Sequence, residues 1–450
     1  MNRALITLAL GCAIACIHMS ANAATEKEAA ATARSGNFAA AAVVYQQLVA
    51  ESPSSVALRL ELADALAKDR QWDQAISEYE AVLKLQPNNT EAILGIGTVR
   101  RWQGNIVAAK RANEQARVLA PQNSDPVLGL AATYALDHDF DNAGKLYEQA
   151  VKTWPEDKGV QHSAHDFRRQ RNPRLYLFLE NDLSFETRQA GVSAPFAGRE
   201  EIGAEYQEET STAPSLGNAR IYTRSDKKIF YTHYFGLNQT LDFSARTSEY
   251  QYYVPDTALS YTGIDTYQEY RFRYTMPLTP EQIFSVRYTA RPTTLRLSQD
   301  QFTAHKIEAE FNSRWTPRFS TMLGGGGLRD LDSAATNTAQ LTDRSLIKLG
   351  FQLDATNRLS IGAKYITNPD LDNTLNATVI AEGSYLLNNT WSALGRLRSD
   401  DNKTGASQTG YYLGARFVPN SYWWSEFGLK YVERGTASGV FGLASISYRF

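Results

Sequence analysis

Val440-Phe441-Gly442-Leu443-Ala444-Ser445-Ile446-Ser447-Tyr448-Arg449-Phe450 decides the fold. Gly442, Ala444, Ile446, Tyr448 and Phe450 share one parity, whereas Ser445, Ser447 and Arg449 share the other. In an extended strand successive side chains point to opposite faces, so the stretch has one apolar and one polar face. The pattern recurs upstream. Leu241, Phe243 and Ala245 alternate with Asp242, Ser244 and Arg246, and Tyr270, Phe272 and Tyr274 alternate with Glu269, Arg271 and Arg273. Segments of this kind, broken by turn residues, are the signature of a transmembrane β-barrel.

The charges on the polar face argue against a secreted β-sandwich. Glu269, Arg271, Arg287, Glu308, Glu310, Lys348 and Arg396 fall at strand centres. Ionised groups of both signs do not fill a small dry core without a heavy desolvation cost, but they can line a wet lumen. The apolar face then meets lipid, with Tyr274, Tyr288, Trp315, Trp391, Trp423 and Tyr431 forming girdles near the strand ends.

The formal net charge of -2 on 450 residues gives no polyelectrolyte character, and no nucleic-acid partner is expected. Mean hydropathy is -0.39. Residues 1–23 read as a secretory signal peptide, with a basic Arg3, an apolar run from Ala4 to Ile17 and the small-x-small site Ala21-Asn22-Ala23. Both cysteines, Cys12 and Cys16, fall inside it, so no disulfide is expected after cleavage. Lipidation at Cys12 is the alternative; Ala9 sits where a lipidation signal wants a large aliphatic residue.

Residues 24–171 read as a tetratricopeptide-repeat domain. Pro53, Pro87, Pro121 and Pro155 are spaced 34 residues apart, as are Ala41, Ala75, Ala109 and Ala143. Tyr45 and Tyr79 repeat at the same interval, and Tyr147 occupies that column in the fourth repeat. Small alanines let paired helices approach closely, and each proline stops the second helix of its repeat. The repeats run about 24–55, 56–89, 90–123 and 124–157, with 158–171 as a polar capping helix. Arg100 and Asn113 place polar groups in apolar columns of the third repeat. Such arrays are binding surfaces, although one serving only as a spacer is the plainer alternative.

Arg171-Asn172-Pro173 marks the boundary, and 172–450 reads as an antiparallel barrel of about sixteen strands, with fourteen as the alternative. The expected strands begin 174–187, 199–209, 217–226 and 228–236, and the last is 440–450. An even count returns both barrel ends to one side of the membrane, where the repeats also lie. The fold expected is therefore an all-α repeat solenoid followed by an outer-membrane β-barrel.

Alternation assigns the lumen. Glu180, Asp182, Glu186, Glu201, Glu205 and Glu209 would form an acidic wall, and Arg271, Arg273, Arg287, Arg291, Arg396 and Arg398 a basic one. Such a lumen suits a polar polymer sliding past many weak contacts; the plainer alternative is that the charges pair with one another and keep the bore wet. No catalytic set, metal-ligand spacing or cofactor motif is read. His233 and His305 are the barrel's only histidines, and neither is near a nucleophile in sequence. Gly324-Gly325-Gly326-Gly327 lacks the Gly-Lys-Ser/Thr of a phosphate loop and marks a bend or a close approach in a strand.

A leader, helical repeats and a C-terminal barrel together resemble the exopolysaccharide export porins of Gram-negative outer membranes, nearest in architecture to the poly-β-1,6-N-acetylglucosamine export porin. The stretch Ala219-Arg-Ile-Tyr-Thr-Arg-Ser-Asp-Lys-Lys-Ile-Phe230 looks like the start of that family's barrel. The resemblance implies periplasmic repeats that engage the polymer or its modifying enzyme, and a barrel that passes the polymer outward. An acidic lumen would suit a partly deacetylated, cationic glycan. Phe450 and Tyr448 resemble the terminal signal read by the barrel-assembly machinery. About four repeats is fewer than the larger exporters carry. That keeps open a translocator delivering lipoproteins to the cell surface, and a structural or receptor barrel without transport.

Overall fold

The computed structural model describes residues 26–181, 185–196, 198–211, 221–254, 261–294, 301–332, 342–367, 375–403, 406–420 and 422–449. The expected leader, Asp182 and Phe450 lie outside the described residues. The chain divides into two compact units: Met1–Trp102 with Arg111–Pro121, and Gln103–Lys110 with Gln122–Phe450.

Helices α1 (Glu26–Arg34), α2 (Phe38–Glu51), α3 (Val56–Lys68), α4 (Trp72–Leu85) and α5 (Thr90–Trp102) lie in the first unit. Helix α6 (Ile106–Leu119) is divided between the units. Helices α7 (Asp125–Leu136), α8 (Phe140–Thr153) and α9 (Lys158–Gln170) belong to the second.

The 34-residue columns explain the helices. Ala41, Ala75, Ala109 and Ala143 are each fully buried, which is the close approach that small side chains permit. Tyr45, Tyr79 and Tyr147 are buried in the next column, and the Tyr79 hydroxyl donates to Asp64 Oδ1 at 2.7 Å. Each of the four prolines sits two residues beyond a helix end at Glu51, Leu85, Leu119 or Thr153. In the third repeat Asn113 takes the tyrosine column and is buried against Gly97.

Two further columns have the same spacing. Asn37, Asn105 and Asp139 each cap the second helix of a repeat, accepting from the backbone N–H three residues on. Gly36, Arg70, Gly104 and His138 all carry a positive φ at the turn between paired helices. At that turn the chain must enter the left-handed region, where glycine is unstrained and other residues are not.

The barrel follows. Its strands are β1 (Arg174–Asn181), β2 (Phe185–Pro195), β3 (Glu200–Ser211), β4 (Ile221–Gly236), β5 (Gln239–Val254) and β6 (Tyr261–Thr279). Then come β7 (Gln282–Thr294), β8 (Gln301–Thr316), β9 (Phe319–Asp332), β10 (Thr342–Asp354) and β11 (Leu359–Thr367). The last are β12 (Leu375–Leu386), β13 (Trp391–Asn402), β14 (Gln408–Asn420), β15 (Trp423–Arg434) and β16 (Ala437–Arg449). All sixteen are antiparallel neighbours, and β1 pairs with β16 to close the sheet, leaving no edge.

The expected strand limits are corrected at the start of the barrel. The stretch 174–187, read as one strand, holds β1, a connection and the start of β2, whereas 217–226 and 228–236 are one strand, β4. The two differences cancel in the count.

The register fixes two faces. Leu413, Leu429, Val440, Ile307 and Leu323 point outward and are more than half exposed. Tyr274, Trp315, Tyr385, Trp391 and Trp423 ring the outer face near the short-turn end, Tyr365, Tyr411 and Tyr431 lie outward nearer the other, and Tyr288 lies outward at mid-strand. Among the described residues no helix is long and apolar enough to cross a membrane. A closed barrel with an apolar, aromatic-girdled exterior is consistent with an outer-membrane protein.

Candidate functional site: the lumen and the mouth beneath the last repeat

One parity of the strands faces the lumen, and its charges meet partners on the same or a neighbouring strand. Lys430 Nζ donates to Glu180 Oε1 at 2.8 Å, closing the barrel electrostatically between β15 and β1. Lys228 Nζ donates to Glu205 at 2.9 Å, the Tyr234 hydroxyl donates to Glu201 at 3.0 Å, and Glu209 lies opposite Arg224. On the basic side, Arg271 meets Glu269 at 2.8 Å, Arg273 meets Asp242 at 2.9 Å and Arg287 meets Glu308 at 3.4 Å. Arg396 lies 3.7 Å from Glu382, Arg398 lies 2.8 Å from Asp400, and Arg291 lies 5.1 Å from the centre of the Tyr267 ring.

One assigned lumen residue is on the other side. Glu186 follows the connection between β1 and β2, and the register pairs Glu180 with Thr187, so Thr187 faces in and Glu186 faces out. It pairs there with Arg188 at 2.6 Å. The acidic and basic residues assigned to opposite walls also meet at their border. Glu201, Glu205, Lys228, Asp242, Arg271 and Arg273 line one cavity of about 340 Å³.

Further charges line the lumen. Asp226, Arg246, Lys306, Arg416 and Glu426 share the inward parity, and Arg416 meets Glu426 at 2.9 Å. The glycine run of β9 serves this surface. Gly326 lies opposite Glu308, where a Cβ would run into the Ile307 carbonyl, and Gly324 lies opposite Lys348. The cleared space lets Lys348 Nζ reach Glu308 at 2.8 Å. His233 and His305 both carry the outward parity; His305 Nδ1 lies 2.8 Å from the Tyr288 hydroxyl.

The second unit also joins the fourth repeat to the short-turn end of the barrel. The His138 ring stacks on Tyr234 at 4.1 Å. Arg199, at the turn before β3, donates to the carbonyls of Asp137 at 3.0 Å and Phe235 at 2.9 Å, and lies 3.3 Å from Asp139. Asp137 accepts from the Leu237 backbone at 3.1 Å and from Lys110 at 3.0 Å. Farther round the rim, Arg169 donates to the Tyr448 hydroxyl at 3.1 Å and lies over the Tyr422 ring, while Arg314 donates to the Gln103 carbonyl at 2.9 Å.

Electrostatics at this rim are tuned by burial. Desolvation pushes the His138 imidazole below its ordinary value of 6.5; Asp137 and Glu201 oppose the shift and Arg199 adds to it. Its Nδ1 is buried without a hydrogen-bond partner among the described residues, which suits a neutral ring. At Asp139 burial pushes the carboxyl up, but hydrogen bonds from Asn142 and the charges of Arg199 and Lys110 outweigh it and hold the group below the usual carboxylate range.

Comparison with known proteins gives one family match: residues 33–95 match a tetratricopeptide repeat. No curated protein matches the chain. Among solved structures, a thermophilic tetratricopeptide-repeat protein of Thermus thermophilus is 21% identical, covering 31% of this chain and 78% of that one, with a TM-score of 0.29. MamA of Desulfovibrio magneticus RS-1 is 19% identical over 32% of this chain and 80% of that one, TM-score 0.27. PilF of Pseudomonas aeruginosa is 18% identical over 32% of this chain and 66% of that one, TM-score 0.28.

Proposed function

We propose that this chain is an outer-membrane pore whose repeats lie in the periplasm and whose lumen passes an exopolysaccharide outward. The observation that carries the reading is the lumen itself. A barrel of sixteen strands is of the size that encloses an aqueous channel rather than a packed core. Its wall alternates ion pairs with aromatic faces: Tyr176, Phe178, Tyr412 and Trp424 line a cavity of about 650 Å³ together with Glu180 and Arg396. Saccharide rings offer hydroxyls to such charges and apolar faces to such rings, so a polymer meets many weak contacts and no trap.

Repeats of this type generally bind proteins, so the exposed surface of the repeat domain is the docking place for a polysaccharide-modifying enzyme or for the emerging polymer itself. Insertion follows recognition of Tyr448 and Phe450 by the barrel-assembly machinery, with outer-membrane lipid against the apolar belt. The chain acts by conduction, without an enzymatic step.

The test is single-channel recording in a planar bilayer, with and without soluble oligosaccharides. The reading expects a stable current interrupted by sugars of several residues. A conducting barrel indifferent to every sugar would instead favour the lipoprotein translocator.

A further inference from the structure

We infer that the lumen wall from β4 to β10 is an anion-binding site, and that the cargo is an anionic saccharide bearing carboxylate, phosphate or sulfate groups. The inference rests on the pore reading and deepens it.

A cavity of about 290 Å³ lies against this wall, and its described lining carries seven Arg or Lys side chains against two Glu. Arg224, Arg246 and Arg291 contribute guanidinium groups, Lys306 and Lys348 ammonium groups, and Arg271 and Arg287 are shared with the neighbouring cavity. The excess is local, because the whole chain has a net charge of -2.

The strand register concentrates it further. Lys228 is directly opposite Arg246, and Arg273 is directly opposite Arg287. Like charges at facing positions destabilise a sheet. Each has a carboxylate nearby, and Asp226 pairs with both Arg224 and Arg246, but among the described residues that line the cavity Arg and Lys outnumber the acids. Glu308, for example, serves Arg287, Lys306 and Lys348 at once, at 3.4, 3.5 and 2.8 Å. The Nε of Arg271 is buried with no hydrogen-bond partner among the described residues. Oxyanions on a passing chain complete this arrangement: guanidinium forks bind them in a bidentate way, and the flanking ammonium groups add point charge. A cationic glycan would meet repulsion here.

The experiment uses the mature full-length protein in a planar bilayer across a KCl gradient. The reversal potential is expected to show Cl⁻ preferred over K⁺, with the preference reduced in R271Q/R291Q and kept in R271K/R291K. Block by oligogalacturonate is expected at a concentration at least tenfold below that of a chitosan oligomer of equal length, on the order of the discrimination that one good charge-assisted contact gives. That gap should close in the Gln variant, with folding of each variant checked by its heat-dependent gel mobility. A K⁺-preferring pore blocked by chitosan overturns the inference. A Cl⁻-preferring pore that oligogalacturonate does not block overturns the cargo assignment. Absence of any current counts against the pore reading itself. The anion site is then decided by calorimetry of oligogalacturonate on the detergent-solubilised protein, where no binding overturns it.

Discussion

The imidazole of His138 lies 4.1 Å from the ring of Tyr234, with the planes 10° apart. One ring belongs to the turn of the fourth repeat and the other to a barrel strand. His138 has a φ of 56° at a position where Gly36 and Gly104 stand in earlier repeats. Keeping a side chain there costs about 1–2 kcal/mol, and the stack returns about 0.5–1.5 kcal/mol. Replacing His138 by Gly should therefore change global stability little while loosening the joint. Replacing Tyr234 by Ala should loosen it without relieving the turn. Hydrogen exchange in α8 should accelerate in both variants. Unchanged exchange in both would show that the polar contacts of the rim hold the joint without the stack.

The same joint is predicted to weaken in acid. Burial holds the docked ring below 6.5, so between that lower value and 6.5 a free ring binds more protons than the docked one. The stabilisation is full above 6.5 and falls as the pH drops through that window. Protection from exchange at the turn between α7 and α8, each rate divided by the intrinsic rate at its own pH, should be lower at about pH 5.5 than at about pH 7.5 in the native protein. In the His138→Gln variant this component should vanish.

Gly325 and Gly326 are adjacent but face opposite ways, and their substitutions should differ. A Cβ at Gly326 meets the Ile307 carbonyl and the Glu308 backbone, whereas at Gly325 the nearest atom is 3.6 Å away. Gly326→Val should destabilise the barrel by about 1–3 kcal/mol, read as a lower temperature of the gel-mobility shift. Gly325→Ala should leave that temperature close to the native one.

Glu205 and Glu186 test the corrected register. Glu205→Gln removes the carboxylate that accepts from Lys228, so it should increase anion preference in bilayer recordings. Glu186→Gln lies on the outer face and should leave selectivity unchanged. A larger effect at Glu186 would return it to the lumen.

Much of this fold was legible because its periodicities are local. A 34-residue column and a two-residue alternation need no knowledge of distant contacts, and both report faces correctly wherever strand limits are right. The misread limits have specific causes. The Asp182-Leu183-Ser184 connection carries no glycine or proline, so alternation ran through it and carried Glu186 to the wrong face. Lys227-Lys228 looked like a polar break, yet Lys227 points outward toward Glu249 and Lys228 inward to Glu205. The capping column at Asn37, Asn105 and Asp139 was readable at the repeat spacing and was missed. The His138–Tyr234 stack was not readable, because alternation assigns a face but never a partner 96 residues away.

Cysteine scanning along β15 in outer-membrane vesicles tests the central claim most directly. The only cysteines, Cys12 and Cys16, fall in the expected leader, so each introduced thiol would report alone. Single cysteines at Trp424, Phe427, Leu429, Lys430 and Tyr431 would be treated with a membrane-impermeant maleimide and, separately, with a lipid-phase reagent. A wet lumen inside a lipid-facing barrel predicts maleimide reaction at Trp424 and Lys430, which line the lumen cavity, and lipid-phase reaction at Phe427, Leu429 and Tyr431. The opposite phase, or no alternation at all, would contradict it.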